Sequence, residues 1–498
     1  MPRAVHFPSM THPLGSPYVR DQLALRAHPL NPKRTQPEGE FVLYWMRSTL
    51  RIDENWALRY ATLEADRLGR PLLIHHEVDP RERYASERSH TFVLQAVPEI
   101  ARRAAELGHA YQLVVPTRRA EAGRALEALV GRAVLVVTDF MPTSDAVAAV
   151  TRVADAAYCR LVAVDSVGAV PAAALPLEEY AARTIRPKLA RLLDFALEPV
   201  EDRGPRRPFP GAIWRSLDLE RIDPASLGDA TIAPLVARCE IDHEVPAVPL
   251  RGGASAARER LHAFVGDSLA DYSERRRHPS DPDGSSRLSA HLHHGMIAAA
   301  EVARVVRASG AGAEADAFLN EMVTWRELAL NFCARNPAHD SLDALPAWAR
   351  RSMERHEDDP REWCYDLAAL EEARTHSPLW NAAQRELRAT GQMHNVARML
   401  WGKSVVTWTP RYADALAWLI HLNDRWSLDG RDPNSYAGIQ WCFGKFDRPF
   451  AERPVWGTIR PMSLERALAK YDVEDYIARW NGEPAMAGDR PRLSAVSG

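Results

Sequence analysis

The sequence predicts an α/β N-terminal domain built on a doubly wound parallel sheet, followed by an all-α C-terminal domain. Short apolar runs alternate with helical stretches up to about residue 170, which is typical of a parallel sheet covered by helices. From Gly252 onward, apolar residues recur with helical spacing and no strand pattern is evident. Eleven of the 14 tryptophans lie between Trp325 and Trp480. This second half contains more indole than a core usually needs, since each buried indole N–H requires an acceptor.

The strands of the first domain are predicted from apolar runs at 41–45, 71–75, 110–115, 133–138 and 161–165. Helical stretches separate them at 55–68, 89–107, 120–129 and 145–157. The first strand leads into Tyr44-Trp45-Met46-Arg47 and lacks the G-x-G-x-x-G fingerprint of dinucleotide-binding folds. An ordinary dinucleotide-dependent dehydrogenase is therefore disfavoured.

The remaining chain is predicted to be helical, with a connector before the second domain. Helices are predicted over 254–273, 298–309, 315–334, 360–376, 381–407 and 412–423. The predicted divisions are a flexible N-terminal segment (1–37), the α/β domain (38–170), a connector (171–249), the helical domain (250–485) and a flexible tail (486–498). Because of its prolines, the connector is expected to lie over the surface with some helix.

Composition excludes several classes of protein. The net charge of −3 argues against a uniformly basic nucleic-acid-binding protein but allows a local basic face. The five cysteines lack a C-x-x-C pair, which disfavours a zinc ribbon or a disulfide framework and favours a reducing compartment. No apolar run reaches ~18 residues, so neither a signal peptide nor a membrane span is predicted. A cytoplasmic location is expected.

Two polar segments of the second domain allow more than one interpretation. Small and hydroxyl residues at 284–289 precede a helical stretch and form either a simple helix N-cap, which the segment alone favours, or a cradle for a phosphate. His291, His293 and His294 follow, but their spacing fits no catalytic zinc motif. We expect these histidines to pack within a helix, and we expect no metal site.

Two further groups of residues share helix faces. Glu321, Trp325 and Arg326 fall within about two helical turns, with Glu321 and Trp325 four residues apart. A surface ion pair over a core tryptophan is the simpler interpretation of that group. Trp401 and Trp408 are seven residues apart, and core packing is the default interpretation of each.

Several longer stretches, in this order along the chain, resemble the photolyase/cryptochrome superfamily and, within it, the class II cyclobutane pyrimidine dimer photolyases. They are 44–46, 54–58, 180–188, 379–384, 422–424, 428–434 and 452–455. The resemblance implies an antenna-type α/β domain and a helical domain that holds FAD. It also implies light-driven DNA repair, in which excited reduced FAD donates an electron to a pyrimidine dimer flipped out of the duplex.

The resemblance implies partners as well. Ultraviolet-damaged DNA is the expected substrate, and the protein is expected to be monomeric. The first domain would hold an antenna chromophore, a deazaflavin or a folate, if it holds one; no motif decides between them.

The resemblance also assigns roles to individual residues. FAD would be held by Tyr272, Ser285, Ser286, Arg287, Leu288, Ser289, Arg326, Asn395, Arg398 and Asp429. The catalytic residues would be Glu321, which stabilises the radical anion of the dimer, Asn423 beside the flavin ring, and Met399. Electrons would reach oxidised flavin through Trp401, Trp380 and Trp408. DNA and the lesion would contact Trp325, Trp441, Arg448, Phe450 and Arg460.

The sequence departs from the class II pattern near the predicted DNA contacts. Phe450 stands where a tryptophan wedge is usual, and Phe446 stands where a histidine is usual. Elsewhere, Ala290 replaces a proline, Met296 a glutamine and Leu400 a tyrosine. Because phenylalanine still inserts apolar bulk into a duplex, weakened rather than lost lesion capture is expected. The altered 443–450 segment favours the alternative function, a blue-light receptor that keeps FAD and the tryptophan chain.

Overall fold

The computed structural model describes residues 12–471 and 473–482. The strands of its sheet are β1 (Ala27–Pro29), β2 (Phe41–Met46), β3 (Leu72–Glu77), β4 (Ala110–Val114), β5 (Ala133–Asp139) and β6 (Leu161–Val164). They lie in the order β1-β6-β5-β2-β3-β4, with β2 to β6 parallel and β1 antiparallel to β6. The predicted fold class is confirmed, with one antiparallel edge strand added.

Both faces of this sheet are buried beneath helices. The helices of the first domain are α1 (Pro17–Arg26), α2 (Trp56–Leu68), α3 (Glu87–Glu106), α4 (Arg124–Arg132) and α5 (Ser144–Ala156). Along β2, Tyr44 packs on one face with residues of α2 and α3, and Leu43 packs on the other with residues of α4 and α5. Parallel strands buried on both faces are apolar throughout, which is why the sequence showed them as continuous apolar runs.

The prediction of a flexible segment over 1–37 is wrong for residues 17–29, which form α1 and β1. Polar contacts hold this part of the chain in place. Ser16 caps α1, and the fully buried Arg26 donates to the carbonyls of Asp165 and Ala169 at 3.1 and 2.9 Å. Arginine anchoring leaves no apolar periodicity for a sequence pattern to detect. Residues 1–11 of the predicted segment lie outside the described residues.

The connector prediction is wrong in part. It contains α6 (Ala182–Leu197), α7 (Gly211–Ser216) and α8 (Asp229–Val236). Ile185, Leu189 and Leu193 of α6 are buried in one core with Val302 and Val306 of the second domain. Their four-residue spacing gives α6 an apolar stripe, so this helix packs into the helical domain and does not lie over the surface.

Within the described residues of the second domain, every regular element is a helix. Its first helices are α9 (Ala254–Asp267), α10 (Tyr272–Arg275), α11 (Ser289–His293), α12 (Ala299–Ala308), α13 (Ala313–Leu319), α14 (Arg326–Arg335) and α15 (Ala347–His356). They are followed by α16 (Leu367–Glu371), α17 (Pro378–Thr390), α18 (Asn395–Trp408), α19 (Tyr412–Trp426), α20 (Pro433–Cys442), α21 (Leu464–Lys470) and α22 (Glu474–Asn481). A π-helical segment, Asn320–Trp325, joins α13 to α14.

Two helix predictions are corrected. The predicted helix over 381–407 is two helices, because Gly391 ends α17 with a φ of +69° and lies too close to Leu428 for a side chain. The predicted helix over 360–376 is helical only in α16. Trp363 and Tyr365 of that segment instead make ring contacts with His376. The predicted tail, 486–498, lies outside the described residues.

Within residues 12–471 and 473–482, no helix combines the length and the apolar composition needed to cross a membrane.

Candidate functional site

A cavity of about 570 Å³ lies in the helical domain. Its lining includes residues of α10, the 285–289 loop, the π segment, the start of α18 and α20. Every residue predicted to hold FAD and all three predicted catalytic residues line this one cavity, together with Trp325, Trp401 and Trp441. Trp380, Trp408, Arg448, Phe450 and Arg460 do not line it. The structure therefore collects side chains from distant parts of the sequence around a single volume.

The 285–289 loop lines the cavity and does not cap a helix. Leu288 occupies the N-cap position of α11 and makes no side-chain capping bond. The simple N-cap interpretation is therefore wrong. Arg287 has a φ of +48°, its carbonyl accepts from Gln392 at 3.1 Å, and its guanidinium lies 3.4 Å from the Glu386 carboxylate. Contacts with the 386–392 region hold this loop in place.

An ion pair and an amide also line the cavity. Both terminal nitrogens of Arg398 lie 3.2 Å from Asp429 Oδ1, and one lies 3.4 Å from Asn423 Oδ1. Burial alone would raise the pKa of Asp429, but Arg398 and the hydroxyls of Ser427 and Ser289 lower it. Asp429 is therefore an anion that fixes the Arg398 guanidinium beside Asn423.

The amide of Asn423 is held from both ends. Its nitrogen donates to Asp424 Oδ1 at 3.0 Å, while its oxygen faces Arg398. Asp424 also accepts from the backbone N–H of Arg431 at 2.8 Å, and burial raises the pKa of its carboxyl. Sequence reasoning did not select Asp424 as a site residue. It lies in the matched stretch 422–424, but its role depends on its hydrogen bond with Asn423, which only the structure shows.

Arg326 brings a buried positive charge to the cavity. It is 6% exposed, and its Nε has no hydrogen-bond partner among the described residues. Asp432, also a cavity residue, lies 3.8 Å from Arg326 and 3.0 Å from His293 Nδ1. His293 therefore supports a carboxylate, and His291 bonds to the carbonyl of Arg251 at 2.9 Å. The histidine cluster packs within the fold as predicted.

Glu321 faces an arginine that the sequence analysis did not single out. Arg276 lies 2.9 Å from the Glu321 carboxylate and also lines the cavity. Its guanidinium stacks over the Tyr272 ring at 5.2 Å, and burial raises the pKa of the Tyr272 phenol to about 12. In the sequence this arginine is the middle of the run Arg275-Arg276-Arg277, which is typical of surface charge. Only the fold reveals that its middle member turns inward, because Glu321 is far along the chain.

The three tryptophans of the predicted electron chain are in ring contact. Trp401 and Trp380 lie 6.3 Å apart between ring centroids with nearly parallel planes, and Trp380 and Trp408 lie 5.7 Å apart. Their indole N–H groups are used for fixing the rings: Trp401 donates to Gln384 at 2.9 Å, and Trp380 donates to the Trp401 carbonyl at 3.0 Å. The row begins at the cavity wall and runs away from it.

The predicted DNA contacts form a second cluster beside the cavity. The Arg460 guanidinium lies 4.5 Å from the Phe450 ring centroid and 6.0 Å from that of Trp441. Arg448 lies 5.4 Å from the same phenylalanine ring. Arg460 also forms a two-point ion pair with Asp447 at 2.6 and 2.9 Å. These cationic and aromatic groups adjoin the cavity through Trp441, which lines it.

A buried lysine joins this cluster to α18. Lys403 is fully buried and donates to the carbonyls of Cys442 and Arg460, both at 2.9 Å. Its ammonium lies 4.6 Å from the Trp441 ring centroid, and burial lowers its pKa to about 8. Sequence reasoning missed Lys403. Lysines are usually exposed, and nothing in the sequence indicates that this one is buried against backbone carbonyls.

Comparisons with known proteins find relatives that match most of this chain. The sequence model of the family described as DNA photolyase matches residues 42–206. The deoxyribodipyrimidine photo-lyase of Methanothermobacter thermautotrophicus is 35% identical over 460 residues, covering 92% of this chain and 98% of that protein.

Two solved structures share the fold. An archaeal photolyase from Sulfolobus tokodaii with two FAD molecules aligns with a TM-score of 0.63 at 18% identity, covering 89% of this chain and 90% of that one. A cryptochrome from Synechocystis aligns with a TM-score of 0.65 at 16% identity, covering 89% and 88%.

Proposed function

The chain belongs to the DNA photolyase family, and on that premise we propose that it is a class II cyclobutane pyrimidine dimer photolyase acting on ultraviolet-damaged DNA. The observation that carries this proposal is the shared cavity, which unites the residues expected for cofactor and lesion chemistry. The stretches that resemble class II enzymes support the subclass.

The residues around the cavity suit FAD. The cavity offers the hydroxyl-rich 285–289 loop and the partly unpartnered Arg326 guanidinium for a pyrophosphate, and Arg398 and Asn423 for polar ring edges. When bound in its reduced form and excited by light, FAD supplies the electron that opens the dimer. The chain itself supplies position, exclusion of water and charge placement.

Glu321 is the residue proposed to act on the lesion. It is one-third exposed at the cavity wall, where a flipped dimer would enter, and Arg276 orients its carboxyl. In its protonated form this carboxyl would donate a hydrogen bond to the negative charge that develops on the dimer. Trp325 and Trp441 line the same cavity and offer ring faces for stacking the two pyrimidines.

The neighbouring cluster is proposed to hold the DNA. Arg448 and Arg460 present guanidinium groups for phosphates, and Phe450 is the apolar group available to fill the gap left in the duplex. Lys403 stabilises this surface, because its ammonium donates to the backbone carbonyls of Cys442 and Arg460. We further propose a monomer in the cytoplasm, consistent with five unpaired cysteines.

A second function is favoured by one observation. Phe450 and Phe446 differ from the class II pattern in the DNA-facing segment, so a blue-light receptor that keeps FAD and the tryptophan chain is the competing proposal. Both functions require the cavity and the row of indoles, and only lesion repair requires the DNA cluster.

The deciding experiment is light-dependent repair. The purified protein, with FAD loading measured by absorption and the flavin chemically reduced, is illuminated with an oligonucleotide containing one cyclobutane dimer. A photolyase is expected to restore the two pyrimidines in the light and not in the dark. Arg460→Ala should fail to restore them at low DNA concentration. Full flavin loading without repair at saturating DNA would reject the repair function and favour the receptor.

A further inference from the structure

The row of tryptophans ends inside the protein. Trp408, farthest from the cavity, is 6% exposed. An oxidised Trp408 therefore needs one more electron donor, closer to the surface, for the hole to reach solvent. This inference rests on the proposed function, since it concerns the supply of electrons to a flavin in the cavity.

Tyr365 occupies the required place. Its ring centroid lies 5.5 Å from that of Trp408, a separation similar to those between the tryptophans. Its hydroxyl lies 2.7 Å from His376 Nδ1 and accepts the backbone N–H of His376 at 2.9 Å. Because the oxygen is an acceptor for that N–H, its own hydrogen is available to donate to Nδ1.

His376 is placed to receive a proton. Its ring is stacked against Trp363 at 4.2 Å and lies 5.0 Å from Trp408, and the residue is exposed. The pKa of the Glu465 carboxyl is lowered by the Ser463 hydroxyl and, more weakly, by His376. A carboxylate therefore lies within electrostatic reach of the imidazole, where it would stabilise the imidazolium.

We propose that Tyr365 is the terminal electron donor of the tryptophan chain and that His376 accepts its phenolic proton. Trp401 gives an electron to light-excited oxidised flavin, and the hole moves through Trp380 to Trp408. Tyr365 then gives one electron to the Trp408 radical cation as its O–H proton passes to His376 Nδ1. Trp408 is restored, Tyr365 becomes a neutral phenoxyl radical and His376 becomes an imidazolium, so that charge and atoms balance.

The proposal explains why a phenol stands at this position. Oxidising a phenol while its proton stays in place leaves a strongly acidic radical cation, so a base at hydrogen-bond distance makes the step accessible. The hydrogen bond to His376 supplies that base before the electron leaves. The exposed imidazole can then lose its proton to water.

The test is radical identity in the full chain loaded with oxidised FAD. After a light pulse, electron paramagnetic resonance is expected to show a tyrosyl radical, formed more slowly in D₂O than in H₂O. Tyr365→Phe should abolish that signal and leave a tryptophan radical. His376→Ala should slow its appearance roughly 100-fold, the usual contribution of a positioned base, and added imidazole should restore it.

A matched control exists in the first domain. The Tyr111 hydroxyl lies 2.8 Å from His76 Nδ1 but has no ring contact with the tryptophan row. Tyr111→Phe should therefore leave the tyrosyl signal unchanged.

Several outcomes separate the competing explanations. A tryptophan radical whose spectrum and lifetime are the same in the wild type and Tyr365→Phe would overturn this inference alone. A signal lost in Trp363→Phe but kept in Tyr365→Phe would overturn it too, because the exit would then be Trp363. Absence of any protein radical despite bound FAD would instead count against the proposed function, on which the inference depends.

Discussion

Glu327 gives a prediction whose size follows from the structure. It follows Arg326 on α14, is 3% exposed, and accepts the backbone N–H of Ala169 at 2.7 Å. Burial and the neighbouring Asp165 raise the pKa of this carboxyl to about 7, although the Ala169 N–H, Arg326 and Arg26 oppose the shift. The protein therefore holds a carboxyl group that is partly protonated at neutral pH in the junction between its two domains.

The stability cost follows by linkage. From pH 4.5 to 7 the folded state binds a proton at Glu327 that the unfolded chain has lost, so stability contributed by this group falls as pH rises through that window. A shift of about 2.5 pKa units corresponds to about 3 kcal/mol above pH 7. Glu327→Gln keeps the acceptor for Ala169 and is neutral at every pH, so it should remove this cost.

The assay is chemical denaturation of the wild type and Glu327→Gln between pH 5 and pH 8. The advantage of the glutamine variant over the wild type should be under ~1 kcal/mol at pH 5 and should rise to about 3 kcal/mol by pH 8. A gain independent of pH, or a loss of stability at pH 8, would refute the assignment of this carboxyl as a buried, weak acid.

Glu371→Gln is the matched control of opposite sign. Burial raises the pKa of Glu371, but hydrogen bonds from His421, Trp426 and Arg425 lower it to about 2. This carboxylate therefore stabilises the fold above pH 4.5, and that stabilisation is lost as pH falls towards 2. Its substitution should cost stability at pH 7, where Glu327→Gln should not.

Three other substitutions test the site and the fold. Trp380→Phe should slow photoreduction of oxidised flavin, measured by absorption under illumination, because Trp380 bridges the two ends of the indole row. Glu321→Ala should slow dimer opening by roughly 10- to 100-fold, equivalent to the ~1.5–3 kcal/mol of a charged hydrogen bond, with a smaller change in lesion affinity. Gly391→Ala should lower the free energy of unfolding by ~1–3 kcal/mol, because a φ of +69° is strained for alanine and Leu428 occupies the space that the new Cβ would take.

Each of these has a comparison that can contradict it. Trp418→Phe, a core-edge indole outside the row, should leave photoreduction unchanged, and an equal effect of both variants would contradict the chain. A larger fall in lesion affinity than in repair yield would contradict the catalytic role of Glu321. Gly108→Ala has a φ of +77° but no neighbour within 4 Å, so it should cost less than Gly391→Ala.

The sequence could predict those features of the fold that depend on residues close together in the chain, and not those that depend on distant contacts. The buried strands were predicted because each side chain of β2 and β5 is buried, which produces an unbroken apolar run. The end of α17 was not predicted, because it depends on Leu428 approaching Gly391 from a distant segment. Likewise α1 and β1 depend on the polar anchor Arg26, which donates to two carbonyls more than 130 residues away.

The same distinction holds for the site. Asn423 and Asp429 lie in stretches that resemble the family, and Arg398 was assigned by the same resemblance; the fold brings all three within hydrogen-bond distance. Arg276 and Lys403 could not be selected in this way, because what distinguishes them is three-dimensional: one meets Glu321 and the other is buried among carbonyls. Motifs in the sequence identify groups of functional residues, but only the three-dimensional structure shows which charged residues of different groups meet.

The π segment between α13 and α14 gives this site an unusual sensitivity to chain length. A π turn contains one more residue than an α turn, and an α-helix rotates about 100° per residue. Deleting one residue from 320–325 would let the helix continue as regular α-helix, with every backbone bond intact. It would also turn Glu321 through about that angle relative to Arg326 and away from Arg276. The number of residues in this helix therefore matters to the site as much as the identity of its carboxylate.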